Sequence, residues 1–170
     1  IAIEDGPTVV RFPKGNLLDD CEELERLDDG VDILRYSDAA ESAADATDVL
    51  IVSIGAMSAR SLGAAERLEA EGFNVTVVDP RWPVPVPQSI IALAADHDLV
   101  VTVEDGILRG GVGSMVAEAL DAADVDTPVH RLGVPGCFPK HASRGEVLEE
   151  FGLTPEGIAE SASEWVAARS

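Results

Sequence analysis

The chain has 170 residues, with 32 acidic against 12 basic side chains and a formal net charge of −20. A field of that sign repels nucleic acid and anionic lipid, so no nucleic acid and no membrane is expected as a partner. Hydrophobic residues make up 46%, enough for the core of one ordinary domain, and no apolar run reaches the roughly 18–20 residues that span a bilayer.

In chain order, Ile1-Ala2-Ile3-Glu4-Asp5 has no basic flank, no signal-type apolar stretch and no initiator Met, and reads as a chain entered in its middle. Thr8-Val9-Val10-Arg11-Phe12 is expected to be a short strand ended by Pro13 and Gly15. A lone strand ahead of a long linker cannot form a sheet, so residues 1–18 are assigned to a neighbouring domain. Residues 19–48 are acidic and Ala/Ser-rich and are expected to form a linker. At most they carry a hairpin-like or edge strand at Val31-Asp32-Ile33-Leu34-Arg35-Tyr36.

From residue 49 onward the pattern is regular. Val49-Leu50-Ile51-Val52-Ser53-Ile54 is a continuous apolar run of the buried parallel-strand kind. A helix is predicted over 59–71, with Leu62, Ala65 and Leu68 on one face and Gly72 as its stop. Strands follow at 73–78, 99–103 and 128–132, separated by helices at 89–96 and 113–122. Ser143-Arg144-Gly145-Glu146 has capping-box spacing, and Thr154-Pro155 places Pro at a first helical position. The alternation implies an α/β fold: a three-layer, mostly parallel sheet of about five strands occupying residues 49–170.

In such a sheet the loops at the carboxyl ends of the strands carry function. Arg81 falls in one of them, directly after a strand and ahead of Trp82 and a turn stiffened by Pro83, Pro85 and Pro87. A guanidinium fork held there suits a phosphate or carboxylate oxygen pair, and pairing with a neighbouring Asp is the competing reading. Arg11 sits at a strand end that turns at Pro13, and is read either as phosphate-binding or as a plain strand-end arginine. Gly110-Gly111-Val112-Gly113-Ser114 opens a helix, but it lacks the dinucleotide-binding register and the phosphate-loop Lys. Close packing of helix on strand is the better account of it, and Glu104 and Asp105 would repel a phosphate. His97, His130 and His141 show no ligand spacing, so no metal site is expected; His141, in a loop after a strand, is the lesser functional candidate. Cys21 and Cys137 lie far apart without CxxC spacing, which suits structural thiols in a reducing, cytoplasmic setting.

Several segments together carry a family resemblance. Val49 to Ala56 with the helix after it, Val75-Thr76-Val77-Val78-Asp79-Pro80-Arg81-Trp82, Val101-Thr102-Val103-Glu104-Asp105, Gly110-Gly111-Val112-Gly113-Ser114 and Arg131-Leu132-Gly133-Val134-Pro135 are similar to the transketolase C-terminal domain. That domain is shared by transketolases, 2-oxo-acid dehydrogenase β subunits and 1-deoxy-D-xylulose-5-phosphate synthases. Val10-Arg11-Phe12-Pro13-Lys14-Gly15 resembles the last strand of the synthase family's pyrimidine-binding domain, so the combination favours that family.

The resemblance implies a condensation of pyruvate with D-glyceraldehyde 3-phosphate, releasing carbon dioxide, by a homodimer that uses thiamine diphosphate and Mg²⁺ and feeds isoprenoid and thiamine precursors. It places Arg11 and Arg81 at the family's phosphate-holding arginines. It assigns no catalytic, cofactor-binding or metal-binding residue to this chain, since the Gly-Asp-Gly motif and the Glu that activates the aminopyrimidine ring do not occur in it. The chain by itself is therefore expected to be inactive. Two positions depart from the family pattern: Val84 stands where a Lys is common, and Lys14 where a second Arg is usual. A dehydrogenase β subunit, a transketolase, and a non-catalytic structural or interaction module are the alternatives.

Overall fold

Apolar runs buried on both faces organise this molecule. The computed structural model describes residues 6, 7, 9, 21–37 and 46–169. Its sheet has six strands: β1 (Glu25–Arg26), β2 (Val31–Arg35), β3 (Asp48–Ile54), β4 (Asn74–Pro80), β5 (Leu99–Ile107) and β6 (Val129–Val134). The spatial order is β1-β2-β4-β3-β5-β6. The β4-β3-β5-β6 portion is parallel throughout, whereas β1 pairs β2, and β2 pairs β4, in antiparallel fashion. Helices α1 (Ser58–Ala70), α2 (Gln88–Ala95) and α3 (Val112–Ala122) make the crossovers, and α4 (Arg144–Glu150) and α5 (Pro155–Ala167) close the chain.

Successive strand residues point to opposite faces, and the two cores follow that period of two. Val49, Ile51, Val75, Val77, Val101 and Val103 face Ala64, Ala65 and Leu68 of α1, Leu148 of α4 and Ile158 and Ala162 of α5. Leu50, Val52, Val78 and Val100 face Ile90 and Ala94 of α2 and Val116 and Leu120 of α3. Helices on both faces give the three-layer α/β arrangement expected. The later helices start as their residues dictate. Ser143 and Glu146 form a reciprocal capping box on α4, and Thr154 Oγ1 accepts from Gly157 N ahead of Pro155 at the start of α5.

The sheet has one strand more than the approximate number expected because the 19–48 stretch contributes a complete hairpin. Val31 and Ile33 are fully buried in the α2/α3 core, which explains why β2 docks on β4. The strand expected over 8–12, with Arg11 and Lys14, lies outside the described residues except for Val9.

The glycine-rich segment shows how tightly helix meets strand. A Cβ on Gly111 would run into Ile107 O and the Glu104 carboxylate, and one on Gly113 into Thr102 Oγ1. Gly111 has φ −77°, an ordinary value for any residue, so space rather than backbone conformation demands glycine there. Gly111→Ala is expected to destabilise the fold by about 1–3 kcal/mol through overpacking. Thermal denaturation of the variant checks this, and an unchanged melting temperature would show that the loop yields.

Candidate functional site

The parallel strands end on one side of the molecule, and β2 begins there because it runs antiparallel to β4. Asp32 pairs with Asp79 in register, Val31 with Pro80, and Arg81 N donates to Gly30 O at 3.3 Å. This places the β1–β2 hairpin beside the carboxyl ends of β3 and β4. A cleft of about 590 Å³ opens between them, lined by Cys21, Glu22, Glu23, Asp32, Gly55, Ser58, Asp79 and Arg81 among others.

Arg81 is paired with an Asp and also opens onto the cleft. Its Nε donates to Asp32 Oδ2 at 2.8 Å, and its side chain is 53% exposed at the cleft. The Asp partner comes from the hairpin, 49 positions upstream, and not from the adjacent Asp79. Asp32 holds a second guanidinium as well: Arg26 Nε donates to Oδ1 at 2.6 Å, and Arg26 Nη2 reaches Glu23 Oε1 at 2.6 Å. The Arg26 bond, supported by Arg81, keeps the Asp32 carboxyl below the usual carboxylate range against the opposing effect of burial.

Asp79 behaves in the opposite way. Burial pushes its carboxyl upward, and the hydrogen bond it accepts from Ser58 Oγ at 2.7 Å only partly offsets this. The carboxylates lining the cleft are therefore unequal. Asp32 and Glu23 are matched by arginines, and burial shifts Asp79 toward its protonated form.

The rule that ligands bind where crossover direction reverses points to the gap between β3 and β5. Local chemistry occupies that gap. Glu104, only 5% exposed, turns its carboxylate to the start of α3 and accepts from Gly113 N at 2.9 Å and Val112 N at 3.2 Å. The chain's own carboxylate thus takes the N–H groups that an external anion would use. Arg144, from α4, bonds Asp105 at 2.7 Å and lies 3.9 Å from Met57 Sδ in the β3–α1 loop.

Among the described residues, no group of three or more His, Cys, Asp or Glu side chains could hold a metal ion. With the α3 N–H groups already occupied, these residues do not fit a diphosphate or its metal. The histidines satisfy local needs: His97 bonds Leu93 O and Thr76 Oγ1, and His130 bonds Ser161 Oγ beside the Trp165 ring. His141 is exposed on the connection between β6 and α4, as is Cys137, while Cys21 is half-buried against the core. The structure does not bring His141 to the cleft lining.

The sequence model of the family described as transketolase, C-terminal domain, matches residues 38–158. The chain belongs to that family. It is 51% identical over 168 residues to a 1-deoxy-D-xylulose-5-phosphate synthase of Corynebacterium glutamicum, covering 98% of this chain and 26% of the relative. A synthase of the same name from Rhodococcus jostii is 52% identical over 167 residues, covering 98% and 25%. The chain thus spans about a quarter of the length of the curated relatives it matches. Among solved structures, a split-gene transketolase described as an inactive β4 tetramer superposes with TM-score 0.63 and 35% identity, over 71% of this chain and 39% of that one. A Pichia stipitis transketolase, at 21% identity and TM-score 0.55 over 82% of this chain and 18% of that one, shares the fold.

Sequence reasoning placed Ser58 and Asp79 in strand-end loops expected to carry function without naming them as site residues, and it missed Arg26 and Asp32. The one available signal was Asp32 itself, a charged residue inside an apolar strand, which burial obliges to find a partner. For Asp79 the sign of its linkage is set by its raised folded-state pKa. The native state holds this proton more tightly than the unfolded chain, so Asp79 costs stability as pH rises from about 4 through the folded value. Asp79→Asn is expected to gain stability relative to the parent over that interval and then level off. Denaturant titrations from pH 4 to 7 measure it, and a constant difference would contradict the shift.

Proposed function

We propose that this chain is the acceptor-phosphate part of a 1-deoxy-D-xylulose-5-phosphate synthase, in which Arg81 and Arg11 hold the phosphate of D-glyceraldehyde 3-phosphate. The observation that carries the reading is the position of Arg81: an exposed guanidinium at the carboxyl end of a buried strand, aligned by Asp32 and lining a cleft. About half-identity to synthases across nearly the whole chain supports the choice of reaction over other transketolase-type chemistries.

In this reading the aldehyde is oriented through its phosphate end. A charge-assisted hydrogen bond to an ionised group contributes roughly 1.5–3 kcal/mol. Fixing the aldehyde toward the pyruvate-derived nucleophile lowers the entropic part of the barrier to carbon–carbon bond formation. Thiamine diphosphate and Mg²⁺ supply the decarboxylation of pyruvate when bound to the complete enzyme. Residues outside this chain are proposed to hold them, in a cytoplasmic homodimer.

A second reading, a structural module whose arginines serve only in ion pairs, is favoured by the Arg81–Asp32 bond. Kinetics of the full-length enzyme separate the two. Arg81→Ala is expected to raise KM for D-glyceraldehyde 3-phosphate more than tenfold, about 1.4 kcal/mol per decade, while acceptor-free decarboxylation of pyruvate persists. Equal loss in both steps, or an unchanged KM, would leave the structural module as the better account.

A further inference from the structure

Resting on that reading, we propose that Asp32 is the positioning residue for Arg81: it aims the guanidinium into the cleft and so sets selectivity for a phosphorylated over an unphosphorylated aldehyde. The nearest carboxylate in sequence, Asp79, does not perform this task, because it is half-buried and accepts from Ser58 Oγ. Asp32 comes from a separate element, the β1–β2 hairpin, and every part of its own placement is constrained.

Its side chain is 9% exposed. Arg26 engages Oδ1 through Nε at 2.6 Å and approaches Oδ2 through Nη2 at 3.3 Å, while Arg81 Nε takes Oδ2 at 2.8 Å. Below the carboxylate, the backbone register pairs Asp32 with Asp79, and Arg81 N reaches Gly30 O. The backbone under the carboxylate is thus pinned, since slipping β2 along β4 would pull Val31 and Ile33 out of the core.

The bond is poorly suited to stabilising the fold. One partner is more than half exposed, and such pairs contribute little. Its consequence is geometric. Engaging Nε fixes the plane of the guanidinium and leaves the Nη end as the part presented to an anion. A long side chain that is already ordered loses less freedom when a phosphate monoester binds. Arg26 matters because it offsets the charge of Asp32, so the carboxylate can hold Arg81 without presenting an unbalanced negative charge to the phosphate.

A competing role predicts the opposite sign. If Asp32 merely occupied Arg81 in place of substrate, its neutralisation would improve phosphate binding. The test measures kcat/KM of the full-length holoenzyme for D-glyceraldehyde 3-phosphate and for unphosphorylated D-glyceraldehyde. Asp32→Asn should lower the ratio of the two about tenfold, the scale of one charge-assisted hydrogen bond. Adding the same change to Arg81→Ala should lower it no further, since the residue it positions is gone. Arg26→Gln, which disturbs the support and not the strand, should shift the ratio in the same direction by a smaller factor and provides the answer if Asp32→Asn fails to fold.

A rise in the ratio, or an Asp32→Asn effect that persists undiminished in the Arg81→Ala background, would overturn the positioning role while leaving the phosphate-holding reading intact. An Arg81→Ala enzyme with unaltered selectivity would remove both.

Discussion

Four parallel strands covered by helices on both faces admit into their interior only small hydroxyl side chains such as Ser53, Thr76 and Thr102 beside the apolar ones, and the charged groups of the cleft stand at their carboxyl ends. Leu50, Ile51, Val77 and Val101 are fully buried, which commits β3, β4 and β5 to packing along most of their length, while β6 at the edge is only half-buried. In those three strands a charged group finds water or a partner where the backbone leaves the sheet, whereas Arg131 in the edge strand is exposed and bonds Ser114 Oγ. Arg81, Asp79, Glu104 and Asp105 all stand at that boundary. The hairpin strand β2 reaches it from the opposite direction.

Carboxylates at this boundary serve three different ends. Glu104 is turned inward and closes the amino end of α3, with the surrounding glycines giving it room. Asp79 is half-buried against Ser58 and shifts toward its protonated form. Asp32 is shared by two arginines and shifts toward its ionised form. Asp32 and Asp79 thus differ in charge tendency through their partners and burial.

The antiparallel hairpin is the departure that matters most for function. Parallel crossover units account for β3 to β6, and their edge at β4 would otherwise be an open row of backbone groups. Covering that edge with β2 both satisfies it and delivers Asp32 to within hydrogen-bond distance of Arg81. The apolar residues Val31, Ile33 and Leu34 marked a hairpin-like or edge strand in the acidic 19–48 stretch, but not its pairing with β4 or the contact of Asp32 with Arg81.

The amino-acid sequence by itself determined the architecture from residue 49 onward. Continuous apolar runs, helix stops such as Gly72, and the capping signals at Ser143 and Thr154 are local, and local physics suffices to interpret them. It also singled out Arg81, since a cation after a buried run must lie at a strand end. Tertiary structure decided what Arg81 and Glu104 actually touch. The bond to Asp32 spans 49 positions, and the closure of α3 by Glu104 depends on how strand and helix meet in space. Spacing alone does not encode either, because each arises only when the sheet has assembled and its register has been set by burial.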